Sequence, residues 1–185
     1  MRTFETEKGA LQDQREMAEF VSLLVANGVR SYLEVGAKFG GLVWRVANAL
    51  PPGARIAVID LPGRTESKES LHECMTELSA RGYDTHLHLG NSHNGAALTF
   101  ARALGPFDAI MIDGDHSAMG VREDWANYGP LGRLVAFHDI SWVHRPDKKT
   151  LIEVPAVWNQ IKRGRRFVEI RQHASHCGIG VLWRK

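Results

Sequence analysis

The sequence predicts an α/β fold: a Rossmann-like, doubly wound sheet of about seven strands, mostly parallel, with an antiparallel hairpin strand at the C-terminal end. Two observations lead there. First, short β-like apolar runs alternate with stretches of helical periodicity from Met17 to His138, the pattern of parallel strands joined by right-handed helical crossovers. Second, the last two β-like runs, Phe167–Arg171 and Ile179–Trp183, are separated by only seven residues. That gap is too short for a crossover, so the two runs should pair antiparallel.

Each element has its own signal. Met17, Phe20, Val21, Leu24 and Val25 recur at helical spacing, and Gly28 stops them. Tyr32–Val35 reads as the first strand, closed by Gly36. Leu42–Leu50 reads as a helix stopped by Pro51, Pro52 and Gly53, and Arg55–Asp60 as a second, buried strand. Leu71, Met75 and Leu78 mark the next helix, closed by Gly82. Thr85–Leu89 alternates polar and apolar residues, as a strand with one more exposed face does. Ala97, Phe100, Ala101 and Leu104 mark a helix closed by Gly105 and Pro106. Phe107–Ile112 is a fourth strand. Val121, Trp125 and Tyr128 share a helical face, and Leu134–His138 is a fifth strand. A helix around Val157–Lys162 precedes the terminal pair.

Composition bounds the function. The chain has 185 residues, 44% of them apolar and 24% charged, which suits one folded domain over residues 1–185 and excludes a wholly disordered chain. No apolar run approaches the ~20 residues that cross a bilayer, and the polar N-terminus lacks a signal-peptide core, so no membrane partner is expected. Two cysteines far apart, Cys74 and Cys177, indicate neither a disulfide framework nor a cysteine zinc cluster, and a reducing cytoplasm is the expected compartment. The formal charge of +2 is unevenly spread: residues 144–185 carry ten Lys/Arg against three acids. A basic tail of this kind suits a nucleic-acid partner, a basic face beside an anionic small molecule, or a solvated surface; the charge count favours the last two.

In open α/β sheets the ligand sits beyond the carboxyl ends of the strands, so the residues following each strand are the ones to inspect. Gly36 to Gly41 follows the first strand and opens a helix, where glycine lets backbone approach a ligand and a helix N-terminus offers free N–H groups. It is not a phosphate-cradling Walker loop, since no Gly-Lys-Ser/Thr follows, and Lys38 stands where the middle glycine of Gly-x-Gly-x-x-Gly would be. Asp60 ends the second strand, 24 residues after Gly36, where a carboxylate can accept both hydroxyls of an adenosine ribose. That pairing suits a nucleoside ligand without deciding between a dinucleotide and S-adenosylmethionine; a lone Asp there could also be a turn or cap residue. Gly90, Asn91, Ser92 and His93 follow the third strand, and Asn91 and Ser92 could line an adenine site. Asp113-Gly114-Asp115-His116 follows the fourth strand and His138-Asp139 the fifth. Asp113 and Asp139 could hold a divalent cation such as Mg²⁺, which would lower the pKa of a substrate hydroxyl, and His116 could accept its proton. These acids could instead only cap helices, but three acids and two imidazoles at neighbouring strand ends exceed what capping needs. His72, His86 and His88 read as surface or edge residues, and His173 and His176 as part of the last hairpin turn.

The stretches from Tyr32 to Gly41, Ile59-Asp60, Phe107 to His116, Gly120 to Trp125, Tyr128 to Leu131 and Ala136 to Ile140 resemble class I S-adenosylmethionine-dependent methyltransferases. They are most similar to the small-molecule O-methyltransferase branch that includes cephalosporin hydroxylase-associated and macrolide sugar enzymes. The resemblance spans about Ser31 to Ile140, with a weaker echo in Val154 to Trp158 and Gly178 to Gly180. It implies methyl transfer to a hydroxyl of a small-molecule acceptor, S-adenosyl-L-methionine as cofactor, and a homo-oligomer as a possible state. It implies that Glu34, Gly36 and Gly40 hold the methionine part, Asp60 the ribose, and Asn91 and Ser92 the adenine side, with Asp113 at the cofactor and metal together. Its metal-dependent members imply Asp113, His138 and Asp139 as metal ligands and His116 as general base. His138 departs from the pattern by replacing the first acid of an acidic pair; imidazole is a poor Mg²⁺ ligand and a good one for softer metals. Residues 1–29 then form an N-terminal helical region, and residues 141–155 a candidate lid, with Trp142 beside the proposed metal site. A nicotinamide-dependent oxidoreductase, a nucleic-acid methyltransferase and a non-catalytic binding protein are the competing readings.

Overall fold

A computed structural model of the protein describes residues 2–5, 12–61, 63–142, 152–172 and 177–184. Seven strands form one sheet: β1 (Ser31–Val35), β2 (Arg55–Asp60), β3 (Asp84–Leu89), β4 (Phe107–Ile112), β5 (Gly132–His138), β6 (Phe167–Ile170) and β7 (Ile179–Trp183). Their order is β3-β2-β1-β4-β5-β7-β6. The first five are parallel, and β7 runs antiparallel between β5 and β6, so the seven-stranded mixed sheet expected from the sequence is the one observed.

The helices are α1 (Gln14–Ala26), α2 (Gly41–Ala49), α3 (Thr65–Ala80), α4 (Gly95–Leu104), α5 (Ala118–Tyr128) and α6 (Val154–Ile161). Successive strand residues point to opposite faces, and this splits the core in two. Tyr32, Ile56, Val58, Ala109, Met111, Leu134 and Ala136 face α1, α2 and α3 through Phe20, Leu42, Val46 and Leu71. Leu33, Val35, Ala57, Ile59, Ile110, Val135 and Phe137 face α4, α5 and α6 through Ala97, Val121, Tyr128 and Trp158. Each fully buried Leu, Ile or Phe contributes about 1.5–3 kcal/mol relative to exposure. Burial on both faces therefore explains why β1, β2, β4 and β5 read as continuous apolar runs. β3 is an edge strand, half-buried throughout, which accounts for its alternating sequence; His86 there meets Asp84 at 2.7 Å.

Helix α6 starts at Val154, three residues before the sequence suggested, because Pro155 occupies its first turn, where a missing N–H costs nothing. The candidate lid is shortened accordingly. Residues 143–151 of it, like His173 and His176, lie outside the described residues; its far end is docked, with Glu153 N donating to the His116 carbonyl at 2.8 Å and Glu153 Oε2 accepting from Ala118 N at 2.9 Å. At the other end of the chain, α1 is capped by Asp13, whose carboxylate accepts from Arg15 N and Glu16 N. Buried Glu16 accepts from the backbone of Gln172 at 3.0 Å and of Gly178 at 3.1 Å, so α1 holds both sides of the connection between β6 and β7. No described helix is long and apolar enough to cross a membrane.

Candidate active site

The sheet order places β1 beside β4, and the chain leaves these two strands toward opposite faces. A cleft must open between their carboxyl ends. It has a volume of about 830 Å³ and is lined by the Gly36–Phe39 loop, Asp60, Asn91–His93, Asp113–His116, His138, Asp139, Trp142 and Cys177. That size lies within the range of small-molecule sites.

The Gly36 loop is pressed against the β4 end. Gly36 has φ +88°, and a Cβ there would lie 2.2 Å from the carbonyl oxygen of Asp113, so only glycine can stand at this point. Lys38 follows at φ +51°, an uncommon conformation for a side-chain-bearing residue. The strain is held by Asp60, whose Oδ2 accepts from Ala37 N and Lys38 N at 2.8 Å each. Burial raises the Asp60 pKa, partly offset by those two amides. Gly40 and Glu34 sit behind the wall. Gly40, at φ +84°, opens α2 and packs toward Cys74. Glu34 is 1% exposed and accepts the Tyr32 hydroxyl at 2.6 Å. Burial pushes its carboxyl up to about 8, against the opposing hydrogen bond from Tyr32.

This buried acid has a measurable consequence. A carboxyl whose folded pKa lies above its unfolded value is proton-loaded in the native state, so stability falls as pH rises between the two values. The protein should lose up to about 3–5 kcal/mol between pH 4.5 and 8 from this group alone. Glu34→Gln should flatten that part of the profile, measured as the difference between the two proteins' urea midpoints across the window. Parallel profiles would show that Glu34 ionises freely.

Across the cleft lies the titratable cluster. His116 Nε2 is 3.3 Å from Asp113 Oδ1 and 3.4 Å from Asp139 Oδ2. His138 Nδ1 is 3.2 Å from Asp113 Oδ1 and 3.2 Å from Asp139 Oδ1. Gln12 adds a hydrogen bond from Nε2 to Asp113 Oδ2 at 2.9 Å. Burial alone would raise the Asp113 pKa, but His138 and His116 outweigh it and hold the carboxyl well below its usual range. Asp139 is raised, by burial first and by Asp113's like charge, with His138 opposing. The hydrogen bond to Asp113 raises His116 against its own burial. Burial would lower His138, but the neighbouring Asp113 leads a set of contacts that raise it well above the ordinary value. Asp139 adopts φ +60°; strain of this kind persists only where surrounding structure fixes it and gathers at functional sites. The donors of Asp113, His116 and Asp139 lie within 4.8 Å of one another, as do those of His138, Asp139 and Cys177. They could hold a divalent ion.

Four further residues shape the site that sequence reasoning did not place there. Asp124 on α5 is fully buried beneath the cleft, 3.3 Å from His93 Nε2, and burial pushes its carboxyl up to about 6. Tyr128, one turn on, donates its hydroxyl to the Ser92 carbonyl. These contacts tie the loop after β3 to α5, and with it the placement of Asn91 and Ser92. Gln12 and Cys177 reach the site from the chain's two ends. Asp124 alone had a local signal: it lies between Val121 and Tyr128 on the buried face of α5.

The fold is the Rossmann-like methyltransferase fold, and solved O-methyltransferase structures superpose on it over nearly the whole chain. A provisionally named caffeoyl-CoA O-methyltransferase from Staphylococcus aureus matches with a TM-score of 0.70 at 14% identity, over 97% of this chain and 88% of that one. An O-methyltransferase from Bacillus cereus in complex with S-adenosylhomocysteine gives 0.70 at 15% identity, over 94% and 82%. The O-methyltransferase TomG from Streptomyces achromogenes, involved in tomaymycin synthesis and solved with S-adenosylmethionine, gives 0.64 at 20% identity, over 97% and 83%. No protein-family model and no curated protein matches the sequence.

Proposed function

We propose that this protein transfers the methyl group of S-adenosylmethionine to a hydroxyl of a small molecule. One observation carries the reading: a glycine loop with a ribose-height carboxylate, Gly36 and Asp60, opens into the same cleft as a carboxylate–imidazole cluster, Asp113, His116, His138 and Asp139. A dinucleotide reductase needs the first half and has no use for the second. The relatives in fold are O-methyltransferases with this cofactor or its product bound, which supports the same choice.

The cleft residues divide the work. Asp60, its Oδ2 fixed by two amides, presents a carboxylate to ribose hydroxyls. The Gly36 backbone gives the amino-acid part close approach, and Asn91 and Ser92 border the adenine side. The cofactor, when bound, supplies an electrophilic methyl group on a sulfonium. His116 stands at hydrogen-bond distance from both Asp113 and Asp139. It accepts the acceptor's hydroxyl proton as the oxygen attacks the methyl carbon in line, and the carboxylates fix its ring. A divalent cation held at His138 and Asp139 would polarise the same hydroxyl and offset the carboxylate charge that raises His116. Positioning within a closed cleft supplies much of the rate. Trp142 lines the cleft beside Asp139 and offers an apolar wall to the acceptor.

Half of the ten basic residues in the C-terminal third have local partners, which weighs against a nucleic-acid acceptor. Lys162 and Arg171 both pair with Glu169, at 2.7 and 2.9 Å. Arg166 stacks over Trp183, and Arg165 and Arg184 over Trp125. These charges serve the hairpin and α6 locally. A screen of hydroxylated acceptors, read as product mass with and without chelator, tests the reaction. A gain of one methyl group is expected; transfer to RNA or DNA, or no transfer to any acceptor, contradicts it.

A further inference from the structure

The donor set at the β5 end is not one that a hard cation selects. His138 is buried, 6% exposed. Its Nδ1 faces the carboxylates of Asp113 and Asp139 at 3.2 Å, while its Nε2 is buried with no hydrogen-bond partner of good geometry among the described residues. Asp113, on Nδ1, stands where an outer carboxylate fixes a metal-ligating histidine by its second nitrogen. Beside the His138 ring stands Cys177. The antiparallel pairing of β7 with β5 places His138 opposite Ile179, and Ser141 N donates to the Cys177 carbonyl at 2.7 Å. Glu16 secures the neighbouring Gly178 N. The thiol therefore reaches the cleft from a backbone fixed on two sides, and it lines the cleft wall. Its sulfur, a His138 nitrogen and an Asp139 oxygen all lie within 4.8 Å of one another.

We propose that His138, Cys177 and Asp139 bind a divalent transition metal of the zinc or cobalt type, with Cys177 as a thiolate ligand, and that the site rejects Mg²⁺. The inference rests on the methyltransferase reading only for the use of the metal, not for its binding. The chemistry decides the class. Mg²⁺ takes oxygen ligands almost exclusively and keeps several waters. Imidazole and thiolate together favour Zn²⁺ and Co²⁺. Binding takes a proton from the Cys177 thiol to solvent and forms one metal–sulfur bond, with no change of oxidation state. Asp113 and His116 share Asp139 as a neighbour and are not ligands in this set.

Cobalt titration of the metal-free full-length protein tests this, because a Co²⁺–thiolate bond absorbs in the near ultraviolet where oxygen-ligated Co²⁺ does not. The proposal predicts one equivalent of Co²⁺ with such a band, its displacement by Zn²⁺, and no displacement by excess Mg²⁺. Cys177→Ser should abolish the band and weaken Zn²⁺ by more than roughly 100-fold, the upper end of what losing a mere second-layer partner costs. Cys74→Ser should keep the band, since Cys74 is buried in the core with its thiol pushed up to about 12. Calorimetry of S-adenosylmethionine with each variant separates the two readings: a lost band with retained cofactor binding concerns the metal alone. Absence of the band, its survival in Cys177→Ser, or competition by equimolar Mg²⁺ would each overturn the proposal.

Discussion

Gly36→Ala is expected to lower stability by at least about 3 kcal/mol and to abolish cofactor binding. The backbone at this position is left-handed, and an added methyl would stand 2.2 Å from the Asp113 carbonyl and 2.6 Å from Gly114 Cα. Those neighbours are backbone atoms of a strand end held by Asp113 N donating to the Val35 carbonyl at 2.8 Å, so they cannot swing aside as a side chain would. The strained φ adds to the collision. Either the Gly36 loop or the Asp113 loop must move, and each carries half the cleft. For a domain of this size the loss corresponds to a fall in Tm of about 6–12 °C, read by calorimetry beside titration with S-adenosylmethionine. Gly53→Ala is the control: its φ is also positive, +76°, but nothing lies within 4 Å of its added carbon. Equal effects at both sites would mean that conformation alone matters and that the close approach of β1 to β4 does not.

His116→Gln is expected to reduce turnover by about 10²–10⁴-fold, the usual contribution of a positioned proton acceptor, while leaving cofactor affinity nearly unchanged. His116 touches Asp113 and Asp139 from a half-buried position at the cleft mouth, and it packs under no core cluster, so its removal leaves the sheet intact. Glutamine preserves much of the volume and a hydrogen bond to the carboxylates but cannot accept the proton productively at neutral pH. Steady-state kinetics with a fixed acceptor would show kcat falling with little change in the KM for S-adenosylmethionine. Full activity in this variant would remove His116 from the chemistry.

The sheet was legible because burial on two faces leaves its mark on every strand. Apolar runs at β1, β2, β4 and β5 and the alternation of β3 followed from position in the sheet, and the short gap between β6 and β7 dictated an antiparallel end. The cleft-facing loops were legible for a related reason: residues that follow parallel strands converge whatever the details. What stayed hidden depends on register and distance. Cys177 meets His138 because Ile179 pairs with His138, and no local pattern encodes that register. Gln12 meets Asp113 across 101 residues. Glu16, which the helical spacing of Met17 to Val25 leaves unmarked, anchors the terminal hairpin turn. Asp124 was the exception that could have been found, since a carboxylate on the apolar face of α5 is costly unless the site uses it. The start of α6 lies ahead of the apolar run at Val157 because the first turn of a helix accepts Pro155.

The Gly36–Asp60 half of the cleft is expected to bind S-adenosylmethionine. Isothermal titration of the protein with S-adenosylmethionine, S-adenosylhomocysteine and NAD, repeated with Asp60→Ala, addresses it most directly. Saturable binding of the two sulfur nucleosides at one site per chain, no heat with NAD, and loss of binding in Asp60→Ala is the predicted result; preference for NAD, or binding that Asp60→Ala leaves intact, would contradict it.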